Sequence, residues 1–282
     1  ITCNYYFYGG KKIDILNKVK NILKKIPSIK HTIVFPYNPK EKNQLSSYLD
    51  FHEAINISKL DQYFERFDFN HPIYILYSSG TTGKPKCITH GAGNVLIEHN
   101  KEFMLHCDIK DGEKIFYYTT TGWMMWNWLV GGMATGSSIF LFDGSPTYPK
   151  IDILLEYCQK NKINLFGVSA KYIDHLKNEK YSSKYLNLDS IKIITSTGSP
   201  LSEESFKYVY ESIKKDVHLA SIAGGTDMVG CLVLGNLYSS VYKGEIQGQS
   251  LGIDVDVFNN DGKSTKDGEK GELVVKQPFP SM

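Results

Sequence analysis

The densest run of side chains able to do chemistry is Tyr-Ser-Ser-Gly-Thr-Thr-Gly-Lys-Pro-Lys at 77–86. Ser78, Ser79, Thr81 and Thr82 offer hydroxyls, Gly80 and Gly83 permit backbone shapes that expose amide donors, and Lys84 and Lys86 add positive charge. Together they can form a cradle for a polyanion. The register excludes a GxxxxGK[ST] phosphate loop, because Pro85 stands where that motif needs its second glycine. Taken alone, the run is a phosphate cradle or a plain surface turn.

The elements around it have the rhythm of an α/β protein. The β-prone run Pro-Ile-Tyr-Ile-Leu-Tyr-Ser-Ser leads into the glycine loop, and a helix is expected from about Asn94 to Cys107. Strand, glycine loop and helix in that order is an arrangement in which α/β proteins bind phosphate. Upstream, Ile13, Leu16, Val19, Leu23 and Ile26 recur at three and four residue spacing among lysines, predicting an amphipathic helix over 13–26, and a strand follows at Thr32–Phe35. From about Asn38 to Asn70 the pattern is polar and weak, and surface helix and loop are expected.

Residues 117–142 carry no charge, and the stretch exceeds the roughly 20 residues of a membrane span. Its glycines, threonines and serines divide it into a strand end, a buried helix from Met124 to about Ala134 that packs through its glycines, and the strand Ser-Ile-Phe-Leu-Phe. Downstream, helices at 149–160, 171–177 and 201–214 alternate with strands at Asn-Leu-Phe-Gly-Val-Ser, Ile-Lys-Ile-Ile-Thr-Ser-Thr and Val-His-Leu-Ala-Ser. A last region of short strands is dense in Gly and Asp turns. The expected division is an α/β portion over 1–236 and an incomplete β-rich part over 237–282.

Composition narrows the function classes. With 32 basic and 30 acidic residues the formal charge is +2, too small to recruit nucleic acid or an anionic membrane face. Arg66 is the only arginine, so a planar bidentate clamp on a phosphate or carboxylate must be built some other way. Five cysteines at 3, 87, 107, 158 and 231 form no CxxC pair, which fits scattered thiols in a reducing compartment. The chain begins with Ile1 and stops after a strand-like run, and reads as a piece of a longer protein. HExxH, EF-hand and GxGxxG patterns are absent from the sequence.

The loop at 77–86 resembles, almost residue for residue, the signature of the adenylate-forming enzymes, the superfamily of acyl-CoA synthetases, luciferases and peptide-synthetase adenylation domains. The resemblance implies that Ser78, Ser79, Gly80, Thr81, Thr82, Gly83 and Lys84 wrap the β and γ phosphates of ATP and end in a functional Pro85-Lys86. Three more stretches follow in order. Ser-Thr-Gly-Ser-Pro at 196–200 looks like the segment lining adenine and ribose, carried by Gly198, Ser199 and Pro200. Ile-Ala-Gly-Gly-Thr-Asp at 222–227 resembles the block in which, here, Gly225 and Thr226 meet the α-phosphate and Asp227 holds Mg²⁺. Gly-Glu-Leu-Val-Val-Lys near the end matches a strand that precedes a ribose-binding aspartate.

Asp227 departs from the superfamily, which mostly has glutamate there, and without the other motifs it reads as a solvated loop aspartate. Cys87 is read as packing rather than nucleophile, and His90 as structural or as a neighbour of nucleotide or substrate. Within the superfamily, the long stretch Tyr-Tyr-Thr-Thr-Thr-Gly-Trp-Met-Met-Trp-Asn-Trp resembles the branch that activates acetoacetate. Gly122, Trp123, Met124 and Gly224 then form a small acyl pocket, with an indole N–H of Trp123 or Trp126 for the keto oxygen; Trp126 and Trp128 are equally readable as core. In acetate-activating relatives a tryptophan closes the pocket near Gly224.

The resemblance thus implies an α/β fold, the large AMP-binding domain of layered sheets and flanking helices plus the start of a β-rich subdomain, with a C-terminal lid domain and catalytic lysine beyond Met282. It implies ATP, Mg²⁺ and coenzyme A as reaction components, and no membrane span or nucleic acid. Two alternatives stay open on the residues: a ligase for another short-chain acid such as acetate, and an inactive nucleotide-binding descendant.

Overall fold

The computed structural model describes residues 1–38, 40–41, 48–51, 64–78 and 83–282. Ser79, Gly80, Thr81 and Thr82 therefore lie outside the described residues, as does much of the stretch expected to be surface helix and loop. Two compact units are present, one of residues 1–66 with 143–150 and one of 67–142 with 151–282.

The first unit contains β1 (Thr2–Cys3), β2 (Tyr5–Tyr8), β3 (Lys11–Asp14), helix α1 (Leu16–Lys25), β4 (Ile33–Phe35) and β5 (Leu49–Asp50). The expected helix over 13–26 is shortened at its start. Lys11–Asp14 instead pairs antiparallel with Tyr5–Tyr8, so Ile13 is a strand residue. Helix α1 buries none of its residues fully, as befits its lysine-rich face.

The second unit opens with β6 (Pro72–Ser78), β7 (Lys86–Gly91) and α2 (Ala92–Lys101), which runs on into a π-helical turn at Glu102–His106. Here the expected strand and helix are both present, but a second strand separates the glycine loop from the helix. The glycine loop joins two antiparallel strands, with Ser78 opposite Lys86, because Lys-Cys-Ile-Thr-His-Gly is itself a β-prone run and the helix waits until Ala92.

Next come β8 (Lys114–Tyr117), α3 (Met124–Gly131) with a 3₁₀ turn at Gly132–Thr135, β9 (Ser138–Phe140), α4 (Ile153–Asn161), β10 (Leu165–Ser169), α5 (Ala170–Asn178) and β11 (Ile193–Thr197). They are followed by α6 (Glu203–Tyr208), a π-helical turn at Val209–Ile213, β12 (His218–Ser221), β13 (Ala223–Gly225) and β14 (Gly230–Leu234). Short strands β15 (Gly248–Gln249), β16 (Val255–Phe258) and β17 (Glu272–Val275) complete the unit.

Strands β12, β11, β10, β8 and β9 lie side by side in that order, all parallel. Both faces are covered. Phe116, Phe166 and Ile194 enter a core with Leu154, Leu155 and Phe206, while their neighbours Ile115, Leu165 and Ile193 enter another with Phe103, Met125 and Trp128. Burial on both faces is why these strands read as continuous apolar runs rather than alternating ones.

The uncharged segment divides into the end of β8, α3 with its 3₁₀ turn, and β9, and among the described residues no helix is long and apolar enough to cross a membrane. A side chain at Gly131 would strike the buried His99 ring, and one at Gly132 would strike Ile115, so the glycines are what let α3 approach its neighbours. Ser202 caps α6 by accepting from Ser205 N–H, ahead of Glu203 and Glu204 in the first turn.

Candidate functional site

A cleft of about 440 Å³ opens in the second unit, at the C-terminal ends of β11 and β12. This is the end at which parallel α/β sheets bind ligands, and the volume suits a nucleotide-sized one. Its walls come from three stretches distant in sequence: Trp123, Met124 and Met125 at the start of α3; Thr197 to Leu201 after β11; and Ser221 to Thr226 from β12 through β13. Gly230 and Cys231 of β14, with Gly244 and Ile246, close the remaining side.

Gly198 sits at a φ of +87°, and a side chain there would come to within 3.7 Å of the Trp123 indole. That left-handed turn bends the chain away from β11 and exposes its backbone to the cleft. Thr197 Oγ1 donates to Ile222 O at 2.8 Å, tying the β11 turn to the segment that follows β12.

The structure thus brings together Trp123, Met124, Gly198, Ser199, Pro200, Gly224, Gly225 and Thr226. Gly122 and Asp227 are exposed and outside this lining, and Trp126 is half-buried and also outside it. Trp128 is core, its indole N–H donating to Glu102. On the hairpin, Ser78 is half-buried, while Gly83, Lys84 and Lys86 are exposed. Cys87 is exposed as well, on β7, so packing does not account for it.

His90 makes a structural contact. Its ring is buried, and Nε2–H donates to the backbone oxygen of Thr226 at 2.8 Å. The strand that begins with Lys86 therefore ends by holding the residue next to Asp227.

Gly224 needs a correction. A Cβ there would lie 1.9 Å from Gly230 O and 2.7 Å from Cys231 Cα, inside the paired backbone of β14. Its absent side chain makes room for a strand rather than for a substrate. At Gly225 the nearest atom to such a Cβ is Asp227 Oδ2 at 3.4 Å, an ordinary contact.

For Mg²⁺, the fit rests on one carboxylate. Asp227 is an exposed anionic oxygen donor directly after two cleft-lining residues. Among the described residues, no group of three or more His, Cys, Asp or Glu side chains is placed to hold a metal. Mg²⁺ binds through one or two carboxylates and takes its other oxygens from phosphates and water, so a lone aspartate beside a nucleotide cleft suits it.

Sequence reasoning missed a buried polar seam behind the cleft. Helix α2 and its π-helical turn bury Glu98, His99, Glu102 and His106, while Leu96, Ile97, Met104 and Leu105 on the other side are about half exposed. Hydropathy points the wrong way on this helix. His99 Nε2–H donates to Val229 O at 2.7 Å, and His106 Nδ1–H donates to Gly235 O at 2.8 Å while its Nε2 accepts from Leu251 N–H. Burial pushes the His99 ring down to about 4 and lowers His106. The only signal in the sequence was the spacing of Glu98 and Glu102, one helical turn apart, with His99 between them and His106 one turn further on.

A model of the family described as AMP-binding enzyme matches residues 4–282. Acetoacetyl-coenzyme A synthetase from Rhizobium meliloti (strain 1021) is 47% identical over all of this chain and 44% of its own length. Acetoacetyl-CoA synthetase from Gallus gallus is 42% identical over 97% of this chain and 42% of its own. The solved structure of acetoacetyl-CoA synthetase from Streptomyces lividans superposes with a TM-score of 0.92 at 36% identity, covering 99% of this chain and 43% of that one. The chain spans about two fifths of the length of the relatives it matches.

Proposed function

The chain belongs to the AMP-binding enzyme family, and from that premise we propose that the protein joins acetoacetate to coenzyme A at the expense of ATP, through an acetoacetyl-adenylate. One observation carries the reading: stretches around 124, 198 and 225 meet in one cleft. The similarity to acetoacetyl-CoA synthetases along the whole chain supports the choice of acid.

In the first half-reaction a carboxylate oxygen attacks the α-phosphorus and pyrophosphate leaves. In the second, the thiol of coenzyme A displaces AMP from the acyl carbon. The acid arrives already ionised, so the residues need supply position and neutralising charge rather than a general base. Gly198, Ser199 and Pro200 line the place for adenine and ribose. Gly225 and Thr226 face the α-phosphate, their backbone steadied by His90.

Ser78, Gly83, Lys84 and Lys86, with Ser79 to Thr82, are assigned to the β and γ phosphates. Mg²⁺ held through Asp227 would supply charge neutralisation on those phosphates. Trp123 and Met124, which line the cleft, are assigned to the acyl end, and the Trp123 indole N–H to the keto oxygen. Without a donor there, desolvating the ketone would favour butyrate. The division at about residue 236, with a lid domain and its lysine beyond Met282, belongs to the same proposal, as does a cytosolic setting, which fits five free thiols.

CoA-ligation progress curves for the complete protein with acetoacetate, butyrate and acetate test the reading. Acetoacetate should give the highest kcat/KM; a protein that uses acetate best would overturn the acid, and one that uses none would overturn the activity.

A further inference from the structure

We propose that Glu102 is a positioning residue for this cleft, a single buried carboxyl that holds its two walls at a fixed separation. The inference rests on the adenylation reading of the cleft. Glu102 Oε2 accepts from the indole N–H of Trp128, and Oε1 accepts from the backbone N–H of Cys231, both at 2.6 Å. Trp128 belongs to α3, whose first turn lines one side of the cleft, and Cys231 belongs to β14, which lines the other. The side chain is fully buried, so neither bond is shared with bulk water.

A residue that only filled this space would be apolar, because a buried carboxyl carries a desolvation cost that a leucine does not. What the carboxyl adds is two directed bonds to two different elements. Its surroundings are arranged to keep it there. Glu98 lies beside it at hydrogen-bonding range, and Glu98 Oε2 is buried without another partner. Lys101 offsets the Glu98 charge at 2.6 Å and is itself held by Ser250. Burial and the Glu98 charge push Glu102 up to about 8, against the pull of Lys101 and the Cys231 N–H.

A proton kept on Glu102 can thus satisfy Glu98 while both Glu102 oxygens go on accepting. The nearby thiols of Cys107 and Cys231 are also raised by burial and stay neutral. Gly230 leaves room for the pair, since a side chain there would meet both Glu98 and Glu102 within 3.0 Å.

The test is Glu102→Gln, Trp128→Phe and the double variant in the complete protein. Glutamine keeps one acceptor, which the Cys231 N–H takes, and turns an NH₂ group toward the Trp128 indole N–H. Glu102→Gln should raise KM for acetoacetate about tenfold, the factor for losing one buried hydrogen bond, with kcat changed less than about threefold. In the Trp128→Phe background the same exchange should cost less than about threefold in KM, because the opposed donor is gone.

Fluorine NMR of the 5-fluorotryptophan protein supplies a second readout. The resonance lost in Trp128→Phe should shift as pH passes about 8 in the parent and stay still in Glu102→Gln. An unchanged KM with only a smaller active fraction, an equal penalty in both backgrounds, or a Trp128 resonance indifferent to Glu102 overturns the proposal. A parent that shows acid ligation by none of these measures overturns the adenylation reading alone, since the Trp128 resonance still decides whether the carboxyl ties the walls.

Discussion

Two parts of the second unit carry the candidate site, and they are built on opposite principles. The hairpin of β6 and β7 is largely exposed, with Lys84 and Lys86 in solvent and little apolar packing beneath them. The stretch 226–235 is held from behind by a row of buried polar side chains, His90 to Thr226, His99 to Val229, Glu102 to Cys231 and His106 to Gly235. The lysine charge that the proposal assigns to a polyanion is left free and hydrated. The backbone that must keep its shape is bonded in a dry environment, where an unmade hydrogen bond costs most. Substitutions on the hairpin should therefore cost catalysis without stability, and substitutions in the seam should cost shape first.

The largest effect is expected where the seam meets β14. Gly224→Trp places its first side-chain atom inside that strand, so it should lower unfolding stability by about 3 kcal/mol or more. Ligation of acetoacetate, butyrate and acetate should then fail together. A folded Gly224→Trp protein with a clean shift toward acetate would show that the position faces substrate after all.

Asp227→Asn comes next, on the exposed side. With the carboxylate charge gone, ATP–pyrophosphate exchange should fall about a hundredfold, close to 3 kcal/mol of lost charge stabilisation. Nucleotide binding and Tm should stay near the parent values; an unchanged exchange rate removes Asp227 from the metal.

The seam also sets an acid limit. His99 is depressed to about 4 from an ordinary 6.5, so between these values the unfolded chain binds a proton that the folded chain refuses. The stability contributed above pH 6.5 is therefore lost as pH falls toward 4, by about 3 kcal/mol. His99→Gln keeps a donor for Val229 O and should flatten that limb in urea unfolding measured across the range. An identical slope in both proteins would assign the acid sensitivity elsewhere.

Lys86→Ala is the mildest of the four. The side chain is exposed, so thermal unfolding should not move, while turnover should fall by about tenfold, the worth of one charge-assisted contact to phosphate. A loss of Tm with normal turnover would invert the comparison.

Much of this was legible in the sequence. The apolar runs at 165–169 and 193–197 became central parallel strands because each is buried on both faces, and the small polar residues that follow them marked the cleft. The loop at 77–86 stood out by composition as a phosphate cradle or a surface turn, yet its topology was misread. Lys86–Gly91 alternates weakly, so its folding back on β6 as a hairpin does not stand out in the local pattern. Helix α2 was legible as a helix and not in its orientation. Glu98 and Glu102 are buried because Lys101, one turn along the same helix, partners Glu98, while Trp128 and Cys231 partner Glu102 from elsewhere in the fold. Gly224 was placed in the cleft correctly, but only the register against β14 reveals where its side chain would point.

Acetoacetate-dependent exchange of labelled pyrophosphate into ATP by the complete protein, run beside butyrate and acetate, addresses the central claim most directly because it isolates the step assigned to this cleft and hairpin. The account predicts exchange with all components present, the highest kcat/KM for acetoacetate, and its collapse in Asp227→Asn while ATP still binds. Exchange that is fastest with acetate, or that survives the loss of the Asp227 carboxylate, would contradict it.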